Sequence, residues 1–217
     1  MIIVGIDLSG PSNHKDTVLT VFEKQNNQLT FVKLLSHIGD MDILNEIIHL
    51  SEVDEVVIGI DAPLSYQDGG GDRPSDKELR KHIISLGMKS GSIMTPTMTK
   101  MVYLTLRGIR LSREIGNLKT ANPISIVEVH PGAVIGSRLS QEDFKHVLSY
   151  KQALPERSFI RKWLERQNLK QLPTFIEDES HYIDACCAAM GAWCWQEGNA
   201  KWVFPADPPL HPYEFCC

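Results

Sequence analysis

The sequence predicts an α/β fold, and three observations carry that prediction. Three short β-rich runs open the chain as a meander, a helical period follows them, and residues 55–60 then form a nearly continuous β-branched stretch. A run of that kind marks a strand buried on both faces in the middle of an α/β sheet.

Residues 2–8 are apolar and β-branched, and residues 17–22 and 29–35 repeat the pattern after turn-like Asn13 and Asn26-Asn27. Residues 41–50 carry apolar side chains at 41, 43, 44, 47, 48 and 50, a helical spacing with Asp40 as its N-cap. The β-branched run at 55–60 ends on Asp61. From about 69 to 120 the pattern changes to helices, at 75–86 and 99–115, joined by a Met-, Ser- and Thr-rich loop that reads as an insertion. That segment holds ten Lys and Arg against four Asp and Glu, a net +6, so the remainder of a chain of net charge −5 carries −11. Residues 125–129 return as a strand broken by Pro131-Gly132. Helices are expected at 141–150, 155–167 and 179–196, then an edge strand at 202–204 and a Pro-rich tail at 206–212, the segment that would wrap a neighbour in a homodimer.

At 217 residues, with 42% hydrophobic side chains, the chain suits one domain over 1–217 with insertions, and excludes collagen, wholesale disorder and a disulfide knot. The acidic balance gives no global field for a polyanion, so nucleic acid would have to meet a local patch. No apolar run reaches the roughly 20 residues of a membrane span, and residues 1–7 show no basic, apolar, small-residue order of a secretory signal. Five cysteines without C-x-x-C spacing fit reduced cytoplasm, with Cys186, Cys187 and Cys194 as small buried hydrophobes of a helix.

The positions of the lone acids are the informative feature. Asp7 closes an apolar strand, Asp61 follows the most apolar one, and Glu128 sits in a strand otherwise made of Ile and Val. Each would lose several kcal/mol of solvation there unless a cation holds it. Three such acids on one sheet would converge on the edge where open α/β sheets bind ligands, and oxygen donors favour Mg²⁺ or Mn²⁺. His181 and Asp184 stand at i and i+3, so they share a helix face that continues into Ala185, Ala188, Ala189 and Gly191, residues small enough to let a helix lie against a sheet. Spacing alone leaves two readings open: both reach the acids, or Asp184 pairs locally beside an ordinary histidine.

Gly5-Ile6-Asp7-Leu8-Ser9-Gly10-Pro11, Gly59-Ile60-Asp61-Ala62-Pro63-Leu64, Arg73-Pro74-Ser75-Asp76 with Arg80, Glu128-Val129-His130-Pro131 and His181-x-x-Asp184-Ala185 together resemble an uncharacterised bacterial family of predicted nucleases, domain-of-unknown-function family 429. The resemblance implies an RNase H-like five-stranded mixed sheet, an antiparallel three-strand meander plus two strands parallel to the first, with helices on both faces. It implies Asp7, Asp61 and Asp184 as ligands of one or two Mg²⁺ or Mn²⁺ ions. His181 takes a position where many such proteins carry a carboxylate. Glu128 joins the catalytic set, while Arg73, Asp76, Arg80 and His130 belong to the family's own pattern as substrate contacts.

The expected activity is therefore metal-dependent hydrolysis of a phosphodiester in nucleic acid, with His181 moving a proton and with Ser9, Arg107 and Arg110 reaching the substrate. The alternative is a protein that binds a nucleotide or another small phosphorylated ligand, or an inactive scaffold, on the same fold.

Overall fold

In the computed structural model, which describes residues 1–217, β1 (Ile2–Asp7), β2 (Val18–Gln25) and β3 (Gln28–Ser36) form the antiparallel meander. The β2–β3 turn uses Asn26 at φ +53°, a left-handed conformation that asparagine tolerates. Helix α1 (Asp40–Val53) starts one residue earlier than expected: Gly39 is the cap, its N–H donating to the Asp42 carboxylate at 2.8 Å, while Asp40 is already helical. The chain then enters β4 (Val56–Asp61), which runs parallel to β1 with Asp7 level with Asp61.

Helices α2 (Pro74–Ser85) and α3 (Val102–Gly116) come next, then β5 (Ile124–Val129), parallel to β4. Pro131-Gly132 ends the strand as expected, and the chain passes directly into a helix. The fixed φ of proline suits the first turn of a helix, and Pro131 opens α4 (Pro131–Gly136) with His130 as its cap. The helix expected at 141–150 shrinks to α5 (Lys145–Ser149); α6 (Leu154–Arg166) and α7 (Ser180–Gln196) follow. The sheet has eight strands rather than five. The additions are two-residue pairings: β7 (Val203–Phe204), the edge strand expected at 202–204, and β6 (Leu169–Lys170) and β8 (Phe215–Cys216), too short to show a period in sequence. The order is β6-β3-β2-β1-β4-β5-β8-β7, with β7 at the edge as expected. No helix is long and apolar enough to cross a membrane.

The two-residue period of the strands divides the core. Ile2, Val4 and Ile6 of β1 and Val56, Ile58 and Ile60 of β4 pack with Ile43 and Ile47 of α1 and Leu111 and Ile115 of α3. Ile3, Val57, Val127 and Val129 pack on the other face with Ala188, Ala189 and Ala192 of α7. The basic segment thus contributes α3 to the core. The thiols of Cys186 and Cys187 lie in the α7 layer, free and buried, and burial pushes both up from the ordinary thiol range.

Helix α7 lies directly on the strand backbones because Gly5 and Gly59 carry no side chain. A Cβ on Gly5 would stand 2.0 Å from the Ala185 carbonyl oxygen, and one on Gly59 2.2 Å from that of Ala188. Both obstacles are backbone, so the helix itself would have to move. Gly59→Ala should therefore lower the melting temperature by about 5–10 °C, corresponding to roughly 2–3 kcal/mol of overpacking. A thermal melt unchanged from wild type would contradict this packing.

Candidate functional site

The same close approach builds the site. In β1, Asp7 follows Gly5 by two residues, and in β4, Asp61 follows Gly59 by two, so both acids project on the α7 side at the C-terminal ends of adjacent parallel strands. The first turns of α7 then bring His181 and Asp184 over them. His181 donates from Nδ1 to Asp7 Oδ2 at 2.7 Å. Asp184 is 1% exposed; its Oδ1 accepts from the Tyr150 hydroxyl at 2.6 Å and its Oδ2 from the Lys151 ammonium at 2.8 Å. Ligand atoms of Asp7, His181 and Asp184 lie within 4.8 Å of one another.

Asp7 and Asp184 are buried within this group, and Asp61, half-buried, stands beside Asp7 outside it; carboxylates placed so resist ionising together. Burial pushes the Asp7 carboxyl up to about 6, helped by the charge of Asp184 and opposed by the bond to His181. Asp61 is held well above the carboxylate range by its depth in the protein and then by the charges of Asp7 and Asp184; no hydrogen bond offsets them. His181 is shifted up by its bond to Asp7, and Lys151 by the charge of Asp184. A cavity of about 190 Å³ reaches Asp7, Asp61 and Lys151, and a neighbouring one of about 350 Å³ shares Asp61, Ser92, His130 and Lys151 and adds Lys89.

A raised carboxyl pKa has a definite consequence for stability. The folded chain holds the proton more tightly than the unfolded one, so the penalty is absent below about pH 4 and grows as pH climbs through the folded value. Asp61→Asn removes a charge that no hydrogen bond supports. In chelator, this variant should melt several degrees above wild type at pH 8 and level with it at pH 4. A variant that melts lower than wild type at pH 8 would show that the Asp61 charge is already compensated.

The remaining predicted residues are placed differently. Glu128 does not join Asp7 and Asp61. In β5 it is level with Ile60 and alternates with Val127 and Val129, which pack under α7, so it belongs to the opposite face. There Arg73 grips it at 2.6 and 2.8 Å, and the Leu64 N–H donates to it at 2.9 Å. Asp76 takes two further bonds from the same guanidinium, at 2.7 and 3.0 Å. Arg73, Asp76 and Glu128 thus form a buried clamp in the cavity wall. The expected Arg73 contact with substrate is replaced by these acids, because the last donor position goes to Ser65.

Arg80 pairs with Asp72 and donates to the Ile93 carbonyl, tying α2 to the loop beyond it. Arg107 turns inward to Asp40 at 2.7 Å, to the Ser9 carbonyl at 2.8 Å and to the Thr17 hydroxyl at 2.7 Å. Ser9 in turn bonds Thr17 and the Asn13 carbonyl inside the β1–β2 loop. Arg110 is paired on the surface with Glu114. Ser9, Arg80, Arg107 and Arg110 do not line either cavity. His130 does line both, but its ring is engaged: Nδ1 accepts from the Ala133 N–H and Nε2 donates to the Ser92 carbonyl, and burial lowers its affinity for a second proton. Tyr150 and Lys151 escaped the sequence reading. Tyr150 ended the helix expected at 141–150 and Lys151 followed it, and nothing in their spacing tied either to the acids.

A family model described as "Protein of unknown function (DUF429)" matches residues 5–209 of the chain. No curated protein and no solved structure matches it.

Proposed function

The chain belongs to the DUF429 family, whose description assigns no activity, and from the site we propose that it is a divalent-metal-dependent hydrolase of phosphodiester bonds in nucleic acid on an RNase H-like sheet. The observation that carries this reading is the register of Asp7 with Asp61 across β1 and β4, with Asp184 brought onto them from α7. The order β3-β2-β1-β4-β5 at the middle of the sheet, antiparallel and then parallel, supports the fold comparison.

The donor set fits a hard dication: the carboxylates of Asp7 and Asp184 and the imidazole of His181 lie together, Asp61 adds a third carboxylate level with Asp7, and burial first and neighbouring charge second hold the Asp7 and Asp61 carboxyls up. Asp7, Asp61 and Asp184 would hold a Mg²⁺ or Mn²⁺ ion. Such an ion supplies charge to a phosphoryl oxygen and makes a water acidic enough to attack near neutral pH. His181 is oriented through Nδ1 by Asp7, which leaves Nε2 to move a proton at the reacting phosphate. Lys89 and Lys151 give the shared cavity positive charge suited to flanking phosphates.

The test is cleavage of branched, hybrid and single-stranded nucleic acids with Mg²⁺ or Mn²⁺ against chelator. Ion-dependent cleavage of at least one substrate is expected, and its absence across the panel would overturn the nuclease reading. The about 350 Å³ cavity also favours a second reading, since its size suits a single nucleotide. Nucleotides that raise the melting temperature, with no cleavage of any polymer, would select that reading.

A further inference from the structure

Lys151 is oriented against the habit of its residue type. Its side chain is 54% exposed, yet its ammonium lies 2.8 Å from Oδ2 of Asp184, whose side chain is 2% exposed. Lysine commonly lays its aliphatic stem on apolar surface and leaves the charge in water. Here a side chain more than half exposed brings its charge to a buried carboxylate. Tyr150, the preceding residue, donates to the other oxygen of Asp184. One turn of chain therefore supplies a phenol and an ammonium to the most buried acid of the site, while Asp61 receives no such partner.

We propose that Lys151 is the built-in second cation of this site: Asp7, Asp61 and Asp184 hold one divalent ion, and the Lys151 ammonium on Asp184 occupies the place of a second. The inference rests on the metal-site reading above and adds its stoichiometry. Charge favours it. One dication and one ammonium balance three carboxylates, whereas two dications beside the ammonium would leave the buried cluster at +2. Geometry favours it as well, because a second ion on Asp184 would meet a like charge already at hydrogen-bond distance from the same carboxylate. Lys151 is thus a positioning residue for the ion and for the charge beside it. Lys151 also lines both cavities, where a phosphate would arrive.

Calorimetric titration with MnCl₂ at pH 7.5 tests this directly. Wild type should bind one Mn²⁺, and Lys151→Met, which keeps the stem and removes the charge, should bind two. Lys151→Gln gives the same comparison should the methionine variant fail to fold, and circular dichroism verifies both. Two ions in wild type, or one ion in a folded charge-free variant, would overturn the role of Lys151 and leave the metal site standing. Absence of Mn²⁺ binding in wild type would overturn the metal site and this inference together.

Discussion

Asp7→Asn is expected to slow ion-dependent phosphodiester cleavage at least about 10³-fold, a loss of roughly 4 kcal/mol of transition-state stabilisation. Asp7 is level with Asp61, holds His181 at 2.7 Å and lies within 4.8 Å of the Asp184 ligand atom, so one substitution would disturb the proposed ligand set and the proposed proton carrier together. The amide keeps the shape of the side chain but removes the charge. That charge is resisted in the folded chain, since burial already pushes the Asp7 carboxyl up to about 6. Loss of activity should therefore come without loss of the fold. The variant should melt close to wild type in chelator, while the stabilisation that saturating Mn²⁺ gives wild type should shrink markedly. Cleavage by Asp7→Asn at the wild-type rate would remove Asp7 from the chemistry.

The largest expected effect on stability lies on the other face of the sheet. All five N–H donors of Arg73 are engaged, two with Asp76, two with Glu128 and one with Ser65, and the guanidinium also lies 5.5 Å from the Phe215 ring centre. This joins the start of α2, the loop after β4, and strands β5 and β8. Arg73→Met would leave two buried carboxylates facing each other with no cation, a change that costs about 3–5 kcal/mol. The melting temperature should fall by about 10 °C. Arg73→Lys should recover only part of this, because a point charge cannot grip two carboxylates in the plane of a guanidinium. Adding Glu128→Gln to Arg73→Met should restore stability, since it removes one of the two stranded charges. Urea unfolding of the four proteins measures these differences; an Arg73→Met value within 1 kcal/mol of wild type would contradict the clamp.

Much of the site was legible because strand and helix periods are simple. Asp7 and Asp61 ended apolar runs, and the i, i+3 spacing of His181 and Asp184 pointed both toward the small-residue face that in fact lies on Gly5 and Gly59. Glu128 looked equivalent to the other two acids but is not. Parallel pairing sets it level with Ile60 instead of Asp61, and that single-residue offset turns it to the opposite face. Composition was a poor guide to the basic segment, because counting charges cannot separate engaged side chains from free ones. Arg73, Arg80 and Arg107 all contribute to its +6, and all three are bonded inside the protein. Lys151 is the opposite case, a surface residue by every local sign that places its charge on buried Asp184. Only the meeting of α7 with the turn after α5 reveals it.

The most direct measurement is anomalous diffraction from crystals soaked in Mn²⁺. A peak at coordination distance from the carboxylates of Asp7, Asp61 and Asp184, with Lys151 still on Asp184, is the predicted result. A saturating soak that leaves no peak among these three side chains would contradict the metal site and the hydrolysis proposed for it.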